Sequence, residues 1–117
     1  MGFYSLGNYY FRNHEYKRAA NEYKKVLVYE QDDADTNFNL AVVSDDYLED
    51  RATAISRYKH YLEVRPNAVD GKKIRRRILD LELRDKVMDE PVKKVRHEIF
   101  EGGDTGVSNF SFIGDKR

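Results

Sequence analysis

The stretch FYSLGNYYFRNHEYKRAANEYKKVL, residues 3–27, decides the fold, because residues 37–62 repeat its pattern of apolar, small and aromatic residues. The pair Leu6-Gly7 matches Leu40-Ala41, 34 residues later. Three residues near the end of the first stretch recur 35 residues later, where Tyr23, Val26 and Leu27 match Tyr58, Tyr61 and Leu62. A period of this length indicates a chain built from repeated supersecondary units.

Two apolar stripes at helical spacing run through the first stretch, because residues three and four apart share one face of a helix. The first stripe comprises Phe3, Leu6, Gly7 and Tyr10; the second comprises Tyr16, Ala19, Ala20, Tyr23, Val26 and Leu27. The small residues Gly7 and Ala19 allow two helices to approach closely opposite large aromatic side chains. Since short isolated helices are marginal in water, we expect the pair to stack on a neighbour.

This period closely resembles that of the tetratricopeptide repeat, with small residues at Gly7 and Ala19 and aromatic residues at Tyr10, Tyr16 and Tyr23. The resemblance implies an all-α fold, a right-handed α-solenoid of antiparallel helix pairs with a concave groove. We expect a domain over residues 1–90, with repeats at about 2–33 and 34–66 and a capping helix at about 68–88. Helix periodicity that begins almost at Met1 suggests a fragment of a longer protein.

The capping helix is predicted from Ile74, Ile78 and Leu81, which form one apolar stripe after Pro66. A basic run is expected to lie on the solvated outer face of this helix, and it comprises Lys72, Lys73, Arg75, Arg76 and Arg77. Beyond Pro91 the periodicity fades, so residues 91–117 are predicted to form a flexible or weakly ordered tail. The alternation of apolar and polar residues around Phe110 and Phe112 is compatible with a short strand there.

Acidic residues before the third helix have two interpretations. Asp33, Asp35 and Asn37 alternate like calcium ligands, but Phe38 and Ser44 replace the glycine and glutamate that a calcium loop requires. We therefore expect these residues to cap the helix start, with Asn13-His14 ending the first helix through a left-handed Asn13.

Composition excludes several classes of function. Lys plus Arg equals Asp plus Glu at 21 each, so no overall field attracts nucleic acid or an anionic membrane. The absence of cysteine excludes disulfides, cysteine-bound zinc and thiol catalysis. His14, His60 and His97 lie far apart without a catalytic motif, and the glycines of the tail lack a phosphate-binding pattern. We predict no enzyme, cofactor or metal, and a cytoplasmic location, or a periplasmic one if a signal has been removed.

The resemblance places the partner-binding residues in the concave groove. The first helix of each pair would line it with Tyr4, Asn8, Phe11 and Arg12, then Phe38, Asn39, Val42 and Asp45. A subclass of the family grips a C-terminal carboxylate, and its residues are matched here by Asn8, Asn39, Lys72 and Arg76, while Tyr4 replaces a lysine. The alternative is that Phe11 and Phe38 pack between neighbouring repeats.

The predicted function is a non-enzymatic protein-interaction module that holds a peptide or protein segment in this groove. The alternative is a structural module that extends or dimerises a larger assembly, which makes a homo-oligomer the second expected partner.

Overall fold

A computed structural model describes residues 2–88, and within this range the regular secondary structure consists of α-helices alone. Its five helices are α1 (Phe3–Arg12), α2 (Tyr16–Tyr29), α3 (Ala34–Asp46), α4 (Arg51–Val64) and α5 (Gly71–Met88). The predicted all-α class is confirmed for these residues. The predicted tail, residues 91–117, lies outside the described range. No helix within residues 2–88 has the length and apolar character needed to cross a membrane.

Aspartates cap the starts of α3, as expected, and of α4. The Asp33 carboxylate accepts a hydrogen bond from the Thr36 backbone N–H at 3.1 Å, and Asp50 accepts one from Thr53 at 3.2 Å. Each bond satisfies one amide that the helix itself leaves without a partner. The Asn37 side chain bonds the backbone carbonyl of Asp33 at 2.9 Å, so it also serves the α2–α3 connection.

The left-handed residue after α1 is one position later than expected. His14 has φ 62°, whereas Asn13 keeps φ −95° and donates its side-chain amide to the Tyr9 carbonyl at 2.8 Å. Asn13 therefore caps the helix end through its side chain, and the reversal of the chain falls on the next residue. Glu49, in the turn before α4, has the same kind of backbone with φ 52°.

Helices α1 and α2 run in opposite directions. Lys25, late in α2, lies over the ring of Phe3, while Phe11 packs against Tyr16, with ring centroids 5.6 Å apart. Gly7 faces Tyr23 between these two contacts, and a Cβ at Gly7 would lie only 2.5 Å from the tyrosine ring. The glycine is therefore required by close approach of the helices rather than by a turn.

Helix α3 lies at the centre of the fold. Its Leu40 and Val43 join one apolar cluster with α1 and α2, and its Phe38, Ala41 and Val42 join another with α4 and α5. Every residue from 36 to 45 is buried. This explains why the sequence of α3 shows no single apolar stripe: apolar contacts are made on more than one side.

Helix α5 packs on α4 through Ile74, Ile78 and Leu81, the three residues predicted to form its apolar stripe. All three are buried. Because α5 is the last helix that the structure describes, its opposite side is covered by no other described helix, and that side presents a row of exposed residues considered below.

Candidate functional site

Most of the residues predicted to line a groove are buried in the fold. Asn8 and Asn39 are each 0% exposed, and the other buried members of the set are Tyr4, Phe38, Val42 and Asp45. Phe11 is partly buried, and Arg12 is exposed. The prediction that these residues present open aromatic and amide groups is therefore corrected, because Tyr4, Phe38 and both asparagines are enclosed within the protein.

Hydrogen bonds within the chain hold the two asparagines. The Asn39 side-chain amide donates to the Tyr4 hydroxyl at 3.2 Å and lies 3.3 Å from the side-chain oxygen of Asn8. The Tyr23 hydroxyl donates to that same oxygen. Since α1, α2 and α3 each contribute to this cluster, the asparagines join α3 to the first two helices rather than offering their amides to a peptide.

The two phenylalanines of the predicted groove also pack against their own chain. Phe38 contacts Tyr61, with ring centroids 5.2 Å apart, and Tyr58. Phe11 lies edge-on to Tyr47, 5.5 Å away, and so contacts the chain at the end of α3. These contacts agree with the alternative interpretation, in which Phe11 and Phe38 pack against their own chain.

An aromatic cluster joins the α1–α2 turn to the end of α3. Tyr47 stacks on Tyr16, with centroids 4.0 Å apart and rings inclined by 12°. Burial raises the pKa of the Tyr47 hydroxyl above its usual value, and the charge of the nearby Tyr16 raises it further. Stacking of this kind stabilises the contact beyond the area that it buries. The cluster therefore fixes the second helix pair against the first.

Lys72 and Arg76 do not join the two asparagines. Each is two residues from Ile74, which places it about 200° around the helix from that buried side chain. Both are exposed on the outer side of α5. The carboxylate-binding set inferred from the resemblance is therefore not assembled within residues 2–88: its asparagines are buried and its cations point away from the core.

Arg77 departs from the rest of the basic run, and the prediction that it lies on the outer face is wrong. Its side chain is 8% exposed and that of Asp45 is 1% exposed. The guanidinium donates to both carboxylate oxygens, Nε at 2.8 Å and Nη2 at 2.7 Å. Tyr58 donates to the same carboxylate at 3.0 Å, and Asp80 accepts from Arg77 Nη1 at 3.0 Å. This network joins α3, α4 and α5.

The spacing of residues in α5 contains a signal that Arg77 is buried. It lies three residues after Ile74 and four before Leu81, so it shares the face of the apolar stripe. An arginine on that face needs a buried anion, because an unpaired buried charge is very costly. Asp45, which the sequence assigned to the groove, supplies it.

One accessible apolar surface of the described residues lies between α4 and α5. An open surface cleft of about 530 Å³ is lined by residues of both helices, and we term it the α4–α5 cleft. Its lining residues are Lys59, Leu62, Glu63, Arg75, Ile78 and Leu79. Leu79 is 67% exposed and Leu83, one turn further along α5, is 41% exposed. The cleft therefore has apolar walls, a charged rim and a neighbouring row of exposed leucines.

Charges on α5 differ between its two halves. In the second half Asp80 pairs with Arg77 and Arg84, Glu82 pairs with Lys59, and Asp85 pairs with Arg51. In the first half, Lys72, Arg75 and Arg76 have no ion-pair partner among the described residues. Cations at a helix start are opposed by the helix dipole, and these three side chains make the exposed surface of this half positive.

The described histidines do not form a reactive group. His14 Nδ1 lies 2.8 Å from the Tyr16 hydroxyl, and His60 lies between Asp32 and Glu63 on the surface, at 2.7 and 3.1 Å. Within residues 2–88, no three His, Asp or Glu side chains come close enough together to hold a metal ion. His60 therefore connects α4 to the α2–α3 turn through surface carboxylates.

Neither the protein-family models nor the curated proteins nor the solved structures compared with this chain give a match. The tetratricopeptide assignment stays a prediction from the sequence.

Proposed function

We propose that this chain is a protein-interaction module without catalytic chemistry, and that it binds its partner at the α4–α5 cleft. The observation that carries this proposal is the exposure of Leu79 beside apolar cleft walls that include Leu62 and Ile78. Contiguous apolar surface with a polar rim is typical of sites that meet another protein. The buried polar clusters described above serve packing instead.

The proposal includes the finer architecture, a solenoid of two tetratricopeptide-like pairs followed by a capping helix. Matching positions in the two pairs support it. Tyr23 and Tyr58 are both fully buried, and each donates its hydroxyl to a polar side chain on the first helix of its own pair. Ala19 and Ala54, four residues before these tyrosines, are fully buried as well. A solenoid ending at α5 leaves the next stacking surface open.

Selection from a displayed library of random peptides tests this function and supplies the ligands for it. We expect selected peptides to bind the wild-type chain and to lose at least about tenfold in affinity with Leu79→Glu, because a charge would replace a central apolar contact. Val28→Glu is the matched control, since Val28 is an exposed apolar residue on α2, remote from the cleft in sequence and 77% exposed. Fluorescence anisotropy measures the affinities, and circular dichroism checks that each variant keeps its helices.

Two results would contradict the proposal. Peptides that bind equally well to wild type and Leu79→Glu would place the binding surface elsewhere. A stable dimer in sedimentation at micromolar concentration, dissociated by Leu79→Glu, would instead favour the structural alternative, in which this surface joins copies of the chain.

A further inference from the structure

The outer side of α5 presents one continuous row of four exposed residues. Lys72, Arg76, Leu79 and Leu83 are spaced by four, three and four residues. This spacing keeps them on one face of the helix, opposite the buried Ile74 and Leu81, and it is the spacing along which two helices pack side by side. The row covers about 16 Å of helix, or about three turns. It has the length and geometry of a helix-binding surface.

The row has a positively charged half and an apolar half. Lys72 and Arg76 occupy the first half, where Arg75 adds a third cation, and Leu79 and Leu83 occupy the second. The cations have no ion-pair partner within residues 2–88, whereas all three acids of the second half are already paired. A partner that covers this row must therefore bring negative charge to one end and apolar side chains to the other.

From this division we infer that the partner segment is an acidic amphipathic helix of another protein, lying along α5. Its apolar side chains cover Leu79 and Leu83 and contact the α4–α5 cleft, and its carboxylates face Lys72 and Arg76. The inference rests on the proposed function and specifies the partner for that same surface.

A second copy of the chain fits this row less well. In an antiparallel α5–α5 pair, the numbers of facing residues have a constant sum. A pair that places Leu79 against Leu83 has the sum 162, so it also places Arg76 against Lys86. A parallel pair would place Lys72 against Lys72 and Arg76 against Arg76. Among the described residues these facing charges are alike and oppose binding, so charge disfavours both self-pairings there.

Two synthetic helical peptides of about four turns test the inference. Both carry leucines at helical spacing in one half; the acidic peptide carries glutamates in the other half, and the basic peptide carries lysines at the same positions. We expect the acidic peptide to bind at least about tenfold more tightly at low salt, and we expect the difference to shrink as salt is added, because screening weakens exposed charge pairs. Fluorescence anisotropy gives both affinities.

Charge reversal at Lys72 and Arg76 tests whether this row causes the preference for the acidic peptide. The double variant Lys72→Glu/Arg76→Glu should invert the order of the two peptides. Lys17→Glu/Lys24→Glu changes net charge equally through two exposed lysines of α2 and should leave the order unchanged. Equal inversion by both variants would overturn the inference, since net charge would then explain it.

The outcomes separate the inference from the function on which it rests. If both peptides bind equally well and Leu79→Glu abolishes the binding of both, the inference of an acidic partner is wrong. The proposed function then stands. If the binding of neither peptide depends on Leu79, the proposed surface is wrong as well.

Discussion

Tyr23 fills the space that the missing side chain of Gly7 leaves between α1 and α2. The ring is fully buried, and its hydroxyl is held by Asn8, the residue that follows Gly7 in α1. Because the ring is fixed at both its face and its hydroxyl, it cannot move aside for an added methyl group.

The first prediction concerns Gly7→Ala. Alanine normally stabilises a helix interior by about 1 kcal/mol relative to glycine. Here the new Cβ would lie 2.5 Å from the Tyr23 ring, so we expect a net loss of about 1–3 kcal/mol in the free energy of unfolding. Urea denaturation followed by circular dichroism measures the change.

Gly71→Ala is the control for this substitution. A Cβ at Gly71 would lie 3.4 Å from the nearest guanidinium nitrogen of Arg75, an ordinary contact. We expect this variant to be as stable as wild type or slightly more so. Equal stability of both variants would show that α1 and α2 are not packed as closely as described.

At the scale of the helices, small side chains set the distance within each pair. Ala54 on α4 is fully buried, and it belongs to the apolar cluster that α3, α4 and α5 share. Ala19 holds the corresponding place in α2 and in the first cluster. Overpacking at either position should therefore separate helices rather than disturb a single contact.

We predict that Ala54→Leu lowers the free energy of unfolding by about 1–3 kcal/mol and that Ala19→Leu has a similar effect. Ala52→Leu introduces the same side chain two residues earlier in α4, at an exposed position, and should change stability little. Thermal unfolding of the three variants measures the differences. A melting temperature unaffected by both buried substitutions would contradict the helix pairing.

At the scale of the whole molecule, the Asp45–Arg77 ion pair fixes α5 to the helix pair before it, α3 and α4. The pair is bidentate, nearly fully buried and supported by Tyr58 and Asp80. A second ion pair between Arg51 and Asp85 also joins α4 to α5, but it is partly exposed, with 3.5 Å between the closest atoms. The first ion pair connects α5 to α3 and the second connects α5 to α4, and the two differ in burial.

Asp45→Asn should therefore destabilise the protein far more than Asp85→Asn. Removing one charge of a buried pair typically costs about 3–5 kcal/mol, and we expect the lower end because Asp80 remains beside Arg77. The exposed pair should contribute less than about 1 kcal/mol. Urea denaturation compares the variants, and equal losses would mean that the Asp45 carboxylate is not the anion that holds Arg77.

The sequence by itself determined the helices and much of their pairing. The repeat at 34 to 35 residues, the small residues at Gly7 and Ala19 and the aspartate before α3 are local signals. They act within one helix or between adjacent helices, so their effect is readable from spacing alone.

Only the tertiary structure decided which polar residues are buried and which surface stays open. Spacing places Asn8 on a face of α1, but the position of Asn39 and Tyr4 beside it depends on how α3 stacks on α1. Likewise, spacing places Arg77 on the apolar face of α5, but its burial depends on Asp45, 32 residues earlier, which lies across from it. The burial of a charged or polar side chain is set by the partner that packing brings opposite, and that partner is distant in the chain.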